Sequence, residues 1–300
     1  MNKQSTSGKE QSQKVDVYQI VTDRIIEALG QGTVPWLKTW QGYGFARNYV
    51  SKHVYSGINA LITSLSPHDI PYFVTKKQAT DLGGMIIKGS RSLPIVYWKV
   101  VYKDKDGRYH PEEEGQKLPD AKKLFFARYY KVFNIMDVEG VTFDLPFSDK
   151  VFDPIPTCEQ MVDLMPNPPL IEYGGDDAFY SPSKDLVKVP KRYRFDTIED
   201  FYFTLFHELI HATGHSSRLN RPEVMEKNVF ASLEYSKEEL TAEIGASFLA
   251  NIAGIETPTL LDSSHAYING WLKKLKGDRK FIFVAAKEAK KGVGYVLSKS

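Results

Sequence analysis

Apolar residues at Val17, Tyr18, Val21, Ile25, Ala28 and Leu29 recur at helical spacing and stop at Gly30. That pattern predicts a first helix with Gly30 as its C-cap. A loop rich in glycine and aromatic residues runs from Gln31 to Tyr49. Ser56 to Leu65 reads as a helix, Pro71 to Val74 as a short strand, and Lys76 to Leu82 as a helix closed by Gly83-Gly84. Leu93 to Tyr102 and Phe126 to Asn134 read as strands, with Lys103-Asp104-Lys105-Asp106-Gly107 as a charged hairpin turn.

Further along, Ala178 to Tyr180 and Leu186 to Val189 read as a strand pair. Four helices are then expected, over 197–213, 236–253, 260–276 and 279–291. Between the halves, Pro146, Pro154, Pro156, Pro166, Pro168 and Pro169 mark an interdomain connection, with a short helix over Cys158 to Met165. The expected class is α+β in two domains. The expected divisions are a disordered polar tail over 1–14, a first domain over 15–145, a Pro-rich linker over 146–169 and a second domain over 170–300.

Composition supports a soluble globular chain: 42% hydrophobic and 25% charged residues leave enough of each for a core and a hydrated surface. Charge is uneven. Residues 1–150 hold 21 Lys and Arg against 16 Asp and Glu, whereas residues 151–300 hold 18 against 21. The basic first half hints at an anionic partner. The single cysteine, Cys158, forms no internal disulfide, which suits a reducing compartment. MNKQSTSGKEQSQK has no apolar core of a signal peptide, and no apolar run reaches the ~18–20 residues of a membrane span. A cytoplasmic protein with no membrane partner is the expectation.

The expected helix over 197–213 contains His207-Glu208-Leu209-Ile210-His211, an H-E-x-x-H pattern. Residues at i and i+4 share a helix face, so both imidazoles can reach one Zn²⁺ (Mn²⁺ or another divalent ion is also possible), with Glu208 beside them as general base. The motif lies in an apolar helix, where a His and a Glu without a purpose would be costly. A third ligand is needed. His215 follows Gly214, where the helix is expected to end. A metzincin third histidine would fall at 217, which is Ser217. Glu239 and Glu243 share a face of the next helix; by analogy with glutamate-ligated zinc peptidases Glu239 is the ligand and Glu243 orients a histidine, with the reverse assignment open. Glu238 fits a solvated acidic face. Peptide would lie along an edge strand, 178–180 or 186–189, with Tyr180, Tyr193 or His215 polarising an oxyanion.

In the first half, Trp36, Trp40, Tyr43, Phe45, Tyr49 and Tyr55 are interleaved with Lys38, Arg47, Lys52 and His53. Aromatic faces stack on unpaired bases while Lys and Arg meet phosphates. An aromatic-rich core with ordinary surface lysines accounts for the same composition.

A family resemblance bears on that choice. Trp36…Trp40…Arg47-Asn48…Tyr55-Ser56-Gly57-Ile58-Asn59, Thr75-Lys76-Lys77-Gln78-Ala79…Leu82-Gly83-Gly84…Lys88-Gly89…Tyr97-Trp98-Lys99 and Tyr130-Lys131-Val132-Phe133-Asn134 resemble the N-terminal domain of ArdC-type antirestriction proteins, itself similar to the N-terminal part of TraC-type primases. His207 to His215, Arg218-Leu219 and Glu238-Glu239-Leu240-Thr241-Ala242-Glu243-Ile244 resemble the zincin-like domain that follows it. The resemblance implies a first domain that binds single-stranded DNA without strong sequence preference. It implies a metallopeptidase-like second domain, acting on an unknown protein, and protection of incoming plasmid DNA during conjugation. The DNA-binding candidates are then Trp36, Trp40, Arg47, Asn48, Lys52, Tyr55, Asn59, Lys76, Lys77, Lys88 and Arg91. Three alternatives stand beside this reading: a DNA-binding protein with a structural or vestigial metal site, a metal-dependent nuclease, and a metalloprotease with no nucleic-acid role.

Overall fold

A computed structural model describes residues 16–38, 40, 45–145, 154–225, 233–255 and 260–298. The tail expected at 1–14 and the first part of the expected linker, 146–153, lie outside the described residues. Helix α1 (Val17–Gly30) starts where the Asp16 carboxylate accepts the N–H of Tyr18, at 3.0 Å, and of Gln19. Gly30 is its last helical residue rather than its cap. Gln31 caps the end, and Gly32 takes the left-handed φ of +77° that reverses the chain.

After a 3-10 turn over Pro35–Leu37 come β1 (Arg47–Asn48), α2 (Ile58–Thr63), β2 (Tyr72–Val74), α3 (Lys76–Asp81) and β3 (Met85–Ile86). A full capping box starts α3: Thr75 Oγ1 accepts from Gln78 N, and the Gln78 side chain accepts from Thr75 N. The chain continues through β4 (Leu93–Lys103), β5 (Tyr109–Pro111), α4 (Glu112–Gly115), β6 (Lys122–Asn134) and β7 (Val138–Glu139). The five-stranded sheet has the order β1-β2-β6-β4-β5, with β4 and β6 paired antiparallel from Leu93↔Val132 to Lys103↔Lys122. β6 therefore begins four residues before the expected Phe126. Its first part is exposed or half-buried on both faces, so no alternation of apolar and polar residues marks it. The charged turn after Lys103 leads into β5, a short partner that the apolar pattern did not show.

The second half holds α5 (Pro154–Asp163), β8 (Leu170–Tyr173), β9 (Phe179–Ser181), β10 (Leu186–Val189), α6 (Ile198–Thr213), α7 (Pro222–Met225), α8 (Leu233–Ala253), α9 (Leu260–Gly277) and α10 (Phe281–Val296). The three-stranded sheet has the order β8-β10-β9. The central β10 is thus not the edge strand that 186–189 was expected to offer; among the described strands β8 and β9 are the edges. α5 overlaps the short helix expected within the Pro-rich connection, and Cys158 and Met161 of that helix and Met165 just beyond it belong to the core.

The two domains share one continuous hydrophobic core. It joins Val21 and Ile25 of α1, Leu61 of α2 and Ile95 of β4 to Phe206 of α6, Leu249 of α8, Leu275 of α9 and Ile282 of α10. α1 packs on α9, with Thr22 Oγ1 donating to the Arg279 carbonyl at 2.8 Å. Tyr18 meets Phe283 edge-on at 4.7 Å. No described helix is long and apolar enough to cross a membrane.

Candidate metal centre

Thr197 caps α6 by accepting from Asp200 N, and Glu199 and Asp200 place negative charge at the positive end of the helix dipole. Beyond that first turn the helix is buried on almost every side, from Phe201 to Thr213. A helix apolar all round belongs in a core, and α6 lies among β10, α8 and α10. α8 comes close because residue 245 has no side chain: a Cβ on Gly245 would stand 2.8 Å from Ile210 Cγ1. This approach sets the carboxylates of α8 against the histidines of α6.

The two Nε2 atoms of His207 and His211 face each other at 3.1 Å. Glu239 completes a triangle, with Oε2 at 3.5 Å from His207 Nε2 and Oε1 at 3.6 Å from His211 Nε2. Tetrahedral zinc ligands at 2.0–2.1 Å would lie roughly 3.3–3.4 Å from one another. The three donors therefore have the spacing of a divalent-cation site, and their N₂O chemistry suits zinc or manganese.

Each histidine has a carboxylate on its other nitrogen. Glu243 Oε2 is 3.5 Å from His207 Nδ1, and Glu238 Oε1 is 3.1 Å from His211 Nδ1. The ring nitrogen each glutamate faces is what separates Glu239 from Glu243. Burial alone would push His207 towards its neutral form, but Glu239 and Glu243 outweigh it and hold its pKa well above the ordinary value. Glu208, only 8% exposed, lies one residue along the same helix from His207.

Glu238 is not on a solvated face. It is 5% exposed and is bound through both oxygens by the buried Arg221, Nη2 to Oε1 at 2.7 Å and Nε to Oε2 at 3.0 Å. Burial pushes the Glu238 carboxyl up, yet His211 and Arg221 together hold it below the ordinary value. Arg221 also donates to the Ile210 carbonyl at 2.6 Å and to Thr213 Oγ1 at 2.8 Å, tying the C-terminal turn of α6 to α8. Sequence reasoning missed both residues. The adjacent glutamates read as one ligand and one solvent contact, and Arg221 follows Asn220 in a loop with no periodic signal.

His215 stands outside the donor triangle. Its Nδ1 is 2.8 Å from Ser217 Oγ, and Asp185 lies 4.0 Å away. The Tyr180 hydroxyl donates to Asp185 Oδ1 at 2.9 Å, and Arg218 holds the same carboxylate. Tyr193 is 80% exposed, on a 3-10 turn beside Asp176 and Arg194.

The expected DNA-binding residues do not form one surface. Trp36, Trp40 and Tyr55 are 1%, 5% and 0% exposed, and this corrects their assignment to base stacking, which needs an open ring face. Trp36 instead meets Trp271 of α9 edge-on at 5.3 Å. The backbone N–H of Trp40 donates to Asn251 of α8. Asn48 is buried as well, organising its own turn and bonding Gln78. Both ends of the Asn59 amide bond the backbone of Val96, at 2.7 and 2.8 Å. Arg47 is half-buried over the Tyr72 ring. Lys52, Lys76, Lys77, Lys88 and Arg91 are exposed, with Lys77 paired to Asp81 and Arg91 to Glu27.

Trp36→Ala should therefore act on folding, costing about 3–5 kcal/mol in denaturant unfolding. Trp36→Phe, which keeps the ring in the core, should leave affinity for any nucleic acid unchanged. A folded Trp36→Phe protein with lost affinity would contradict the core assignment.

Comparison with known proteins agrees with both halves. The profile of the N-terminal domain of anti-restriction factor ArdC matches residues 15–133, and that of a zincin-like metallopeptidase matches residues 165–288. Over 95% of its length the chain is 32% identical to a DNA primase TraC of Escherichia coli. It spans only 27% of that primase, and 20% of a second one. It is 30% identical to the uncharacterized protein y4eC of Sinorhizobium fredii, over 91% of this chain and 89% of that one. The Mn(II)-bound crystal structure of the antirestriction protein ArdC from the R388 plasmid superposes with a TM-score of 0.71 at 30% identity, covering 94% of this chain and 97% of that one.

Proposed function

The chain belongs to the family of ArdC-type antirestriction proteins, and on that premise we propose that it binds single-stranded DNA and carries a metal-dependent peptidase site. Its role in this reading is protection of plasmid DNA that enters a recipient cytoplasm as a single strand during conjugation. The peptidase part is carried by one observation: His207, His211 and Glu239 converge at ligand spacing with Glu208 next to them on the same helix. The zincin-like fold implies a divalent metal, and the related ArdC structure is described as Mn(II)-bound.

When bound, a divalent ion supplies Lewis-acid polarisation of a carbonyl and makes water a stronger acid. The chain's own part begins with the histidines, whose Nε2 atoms are aimed at one point by Glu243 and Glu238 behind them. Glu208 then takes a proton from the attacking water onto a carboxylate oxygen and passes it to the leaving amine. The buried wall of α6 around Glu208 excludes bulk water. The DNA-binding part is supported by the match of residues 15–133 to the ArdC N-terminal domain and by the likeness to TraC primases.

Two measurements test the pair of claims. Fluorescence anisotropy should show tighter binding to a labelled single strand than to a duplex, falling steeply with salt; equal or better affinity for duplex would defeat the single-strand claim. Metal titration by calorimetry should give one divalent ion per chain. Glu239→Gln should weaken that ion more than Glu243→Gln does, the latter costing roughly 10–100-fold as an outer partner. The opposite ranking would exchange the two roles.

A further inference from the structure

β4 and β6 leave the core as a two-stranded arm. Leu93 to Val96 at its base are buried, whereas Tyr97, Trp98 and Lys99 are exposed. Directly paired residues of an antiparallel ladder share a side. One side of the arm therefore carries Tyr97 with Arg128, Lys99 with Phe126, and Lys103 with Lys122. Tyr130, one pair nearer the base on the same side, has its ring centroid 6.0 Å from that of Tyr97. Tyr109 of β5 pairs with Lys103 and lies 6.2 Å from Phe126, with Lys103 Nζ 5.9 Å from its centroid. At about 3.4 Å per residue, these rings and cations, with the aliphatic pair Val101 and Leu124 among them, extend over roughly 20 Å between positions 97 and 103.

Charge separates this side from the other. No residue of β4, β5 or β6 is acidic, while β4 and β6 together hold six Lys and Arg. On the opposite side α4 packs on Tyr102, bringing Glu112 to Lys123 at 3.2 Å, and Asp104 meets His110 at 2.7 Å. Among the described residues, Lys99, Lys103, Lys122 and Arg128 have no ion-pair partner on the Tyr97 side. The rings are open: Tyr97, Tyr109 and Tyr130 are 46%, 60% and 38% exposed. Unpartnered lysines amid aromatic rings are a poor fit to the centre of a protein interface, where lysine is depleted. They fit a polyanion, and open ring faces fit unpaired bases, which a duplex keeps stacked on one another.

We propose that the Tyr97 side of this arm is the surface that takes single-stranded DNA, bases against Tyr97, Tyr130 and Tyr109 and phosphates against Lys99, Arg128 and Lys103. The proposal rests on the single-strand reading above and supplies the surface that the buried tryptophans do not. The test is anisotropy of a labelled oligothymidine with the full chain. Tyr97→Ala should weaken binding roughly 5- to 150-fold, the loss of one stacked base. Lys99→Ala with Arg128→Ala should flatten the slope of log affinity against log salt by roughly 1.4, two phosphate contacts on a single strand. All these positions are exposed, so thermal melts should match the parent protein.

Trp98→Ala and Phe125→Ala, on the opposite side, should leave affinity nearly unchanged. If the parent protein binds the oligonucleotide and the Tyr97-side variants bind it equally well, this surface is wrong and the single-strand reading survives. A loss from the opposite-side variants as large as that from Tyr97→Ala would overturn the choice of side. A parent protein that prefers duplex, or RNA of the same length, or binds none of them, defeats the single-strand DNA reading and the surface with it.

Discussion

Glu208→Gln should abolish peptide hydrolysis in practice, lowering the rate by about 10²–10⁴-fold, while the protein still takes up one divalent ion. Glutamine keeps the shape of the side chain but cannot accept the proton. The donors His207, His211 and Glu239 are untouched by the change, and their mutual spacing of 3.1–3.6 Å is set by α6 and α8, not by Glu208. Burial of Glu208 at 8% exposure makes the neutral amide no harder to accommodate than the charged acid. The measurement is cleavage of a proteome-derived peptide library followed by mass spectrometry, alongside metal content of the same preparation. Full activity in the variant would remove Glu208 as the base. Antirestriction measured with the same variant separates the two halves: undiminished protection of incoming DNA would show that this role does not need hydrolysis and would turn attention to the first domain.

Arg221→Met should be the most destabilising substitution near the site. Arg221 is 3% exposed and holds four acceptors: both oxygens of Glu238, the Ile210 carbonyl and Thr213 Oγ1. Removing it leaves the buried Glu238 carboxylate facing only His211, and breaking a buried pair on one side costs about 3–5 kcal/mol. For a chain of 300 residues, at about 2.1 cal/mol/K of unfolding entropy per residue, that is a fall in Tm on the order of 5–8 °C. Because Glu238 backs His211 Nδ1, metal affinity should fall too, by roughly 10–100-fold. The double change Arg221→Met with Glu238→Leu removes both charges, so much of the stability should return while the affinity loss stays.

The pH dependence has a definite sign. Burial would raise the Glu238 carboxyl, but His211 and Arg221 hold it low in the folded protein. Its stabilising contribution is therefore complete above the unfolded value of about 4.3 and is lost as the pH falls through the folded one. In the double variant that part of the acid destabilisation should disappear. An unchanged Tm for Arg221→Met would show that the contacts of Arg221 carry no net stability.

Much of the helix and strand content was readable from local pattern. α1, α6, α8 and the β9–β10 pair lie within a few residues of where periodicity puts them, because an amphipathic or buried repeat is a property of neighbours in sequence. The short strands β1, β3, β5, β7 and β8 were not readable. They bury few apolar side chains, unlike β2 and β10 of similar length, so little in their own residues marks them and what holds them is the partner strand. The arm of β4 and β6 was read too short for a related reason: where both faces meet solvent, nothing enforces the period.

By itself the sequence determined the candidate metal-binding helix, since His207, Glu208 and His211 are spaced i, i+1 and i+4 and the shared face of the two histidines follows from helix geometry alone. It also carried the family resemblance, which is a matter of residues and spacing. Only the tertiary structure decided the carboxylates. Glu238, Glu239 and Glu243 lie within six residues of one another, and which of them meets Nε2 and which meets Nδ1 depends on how closely α8 lies on α6, which Gly245 and Arg221 control. The same holds for the aromatic residues. A tryptophan suits a buried core and a base-stacking platform equally well in composition, and packing against α8 and α9 put Trp36 and Trp40 inside while Tyr97 and Tyr130 stayed on an open arm. Side-chain chemistry is local, but exposure is a property of everything the chain folds against.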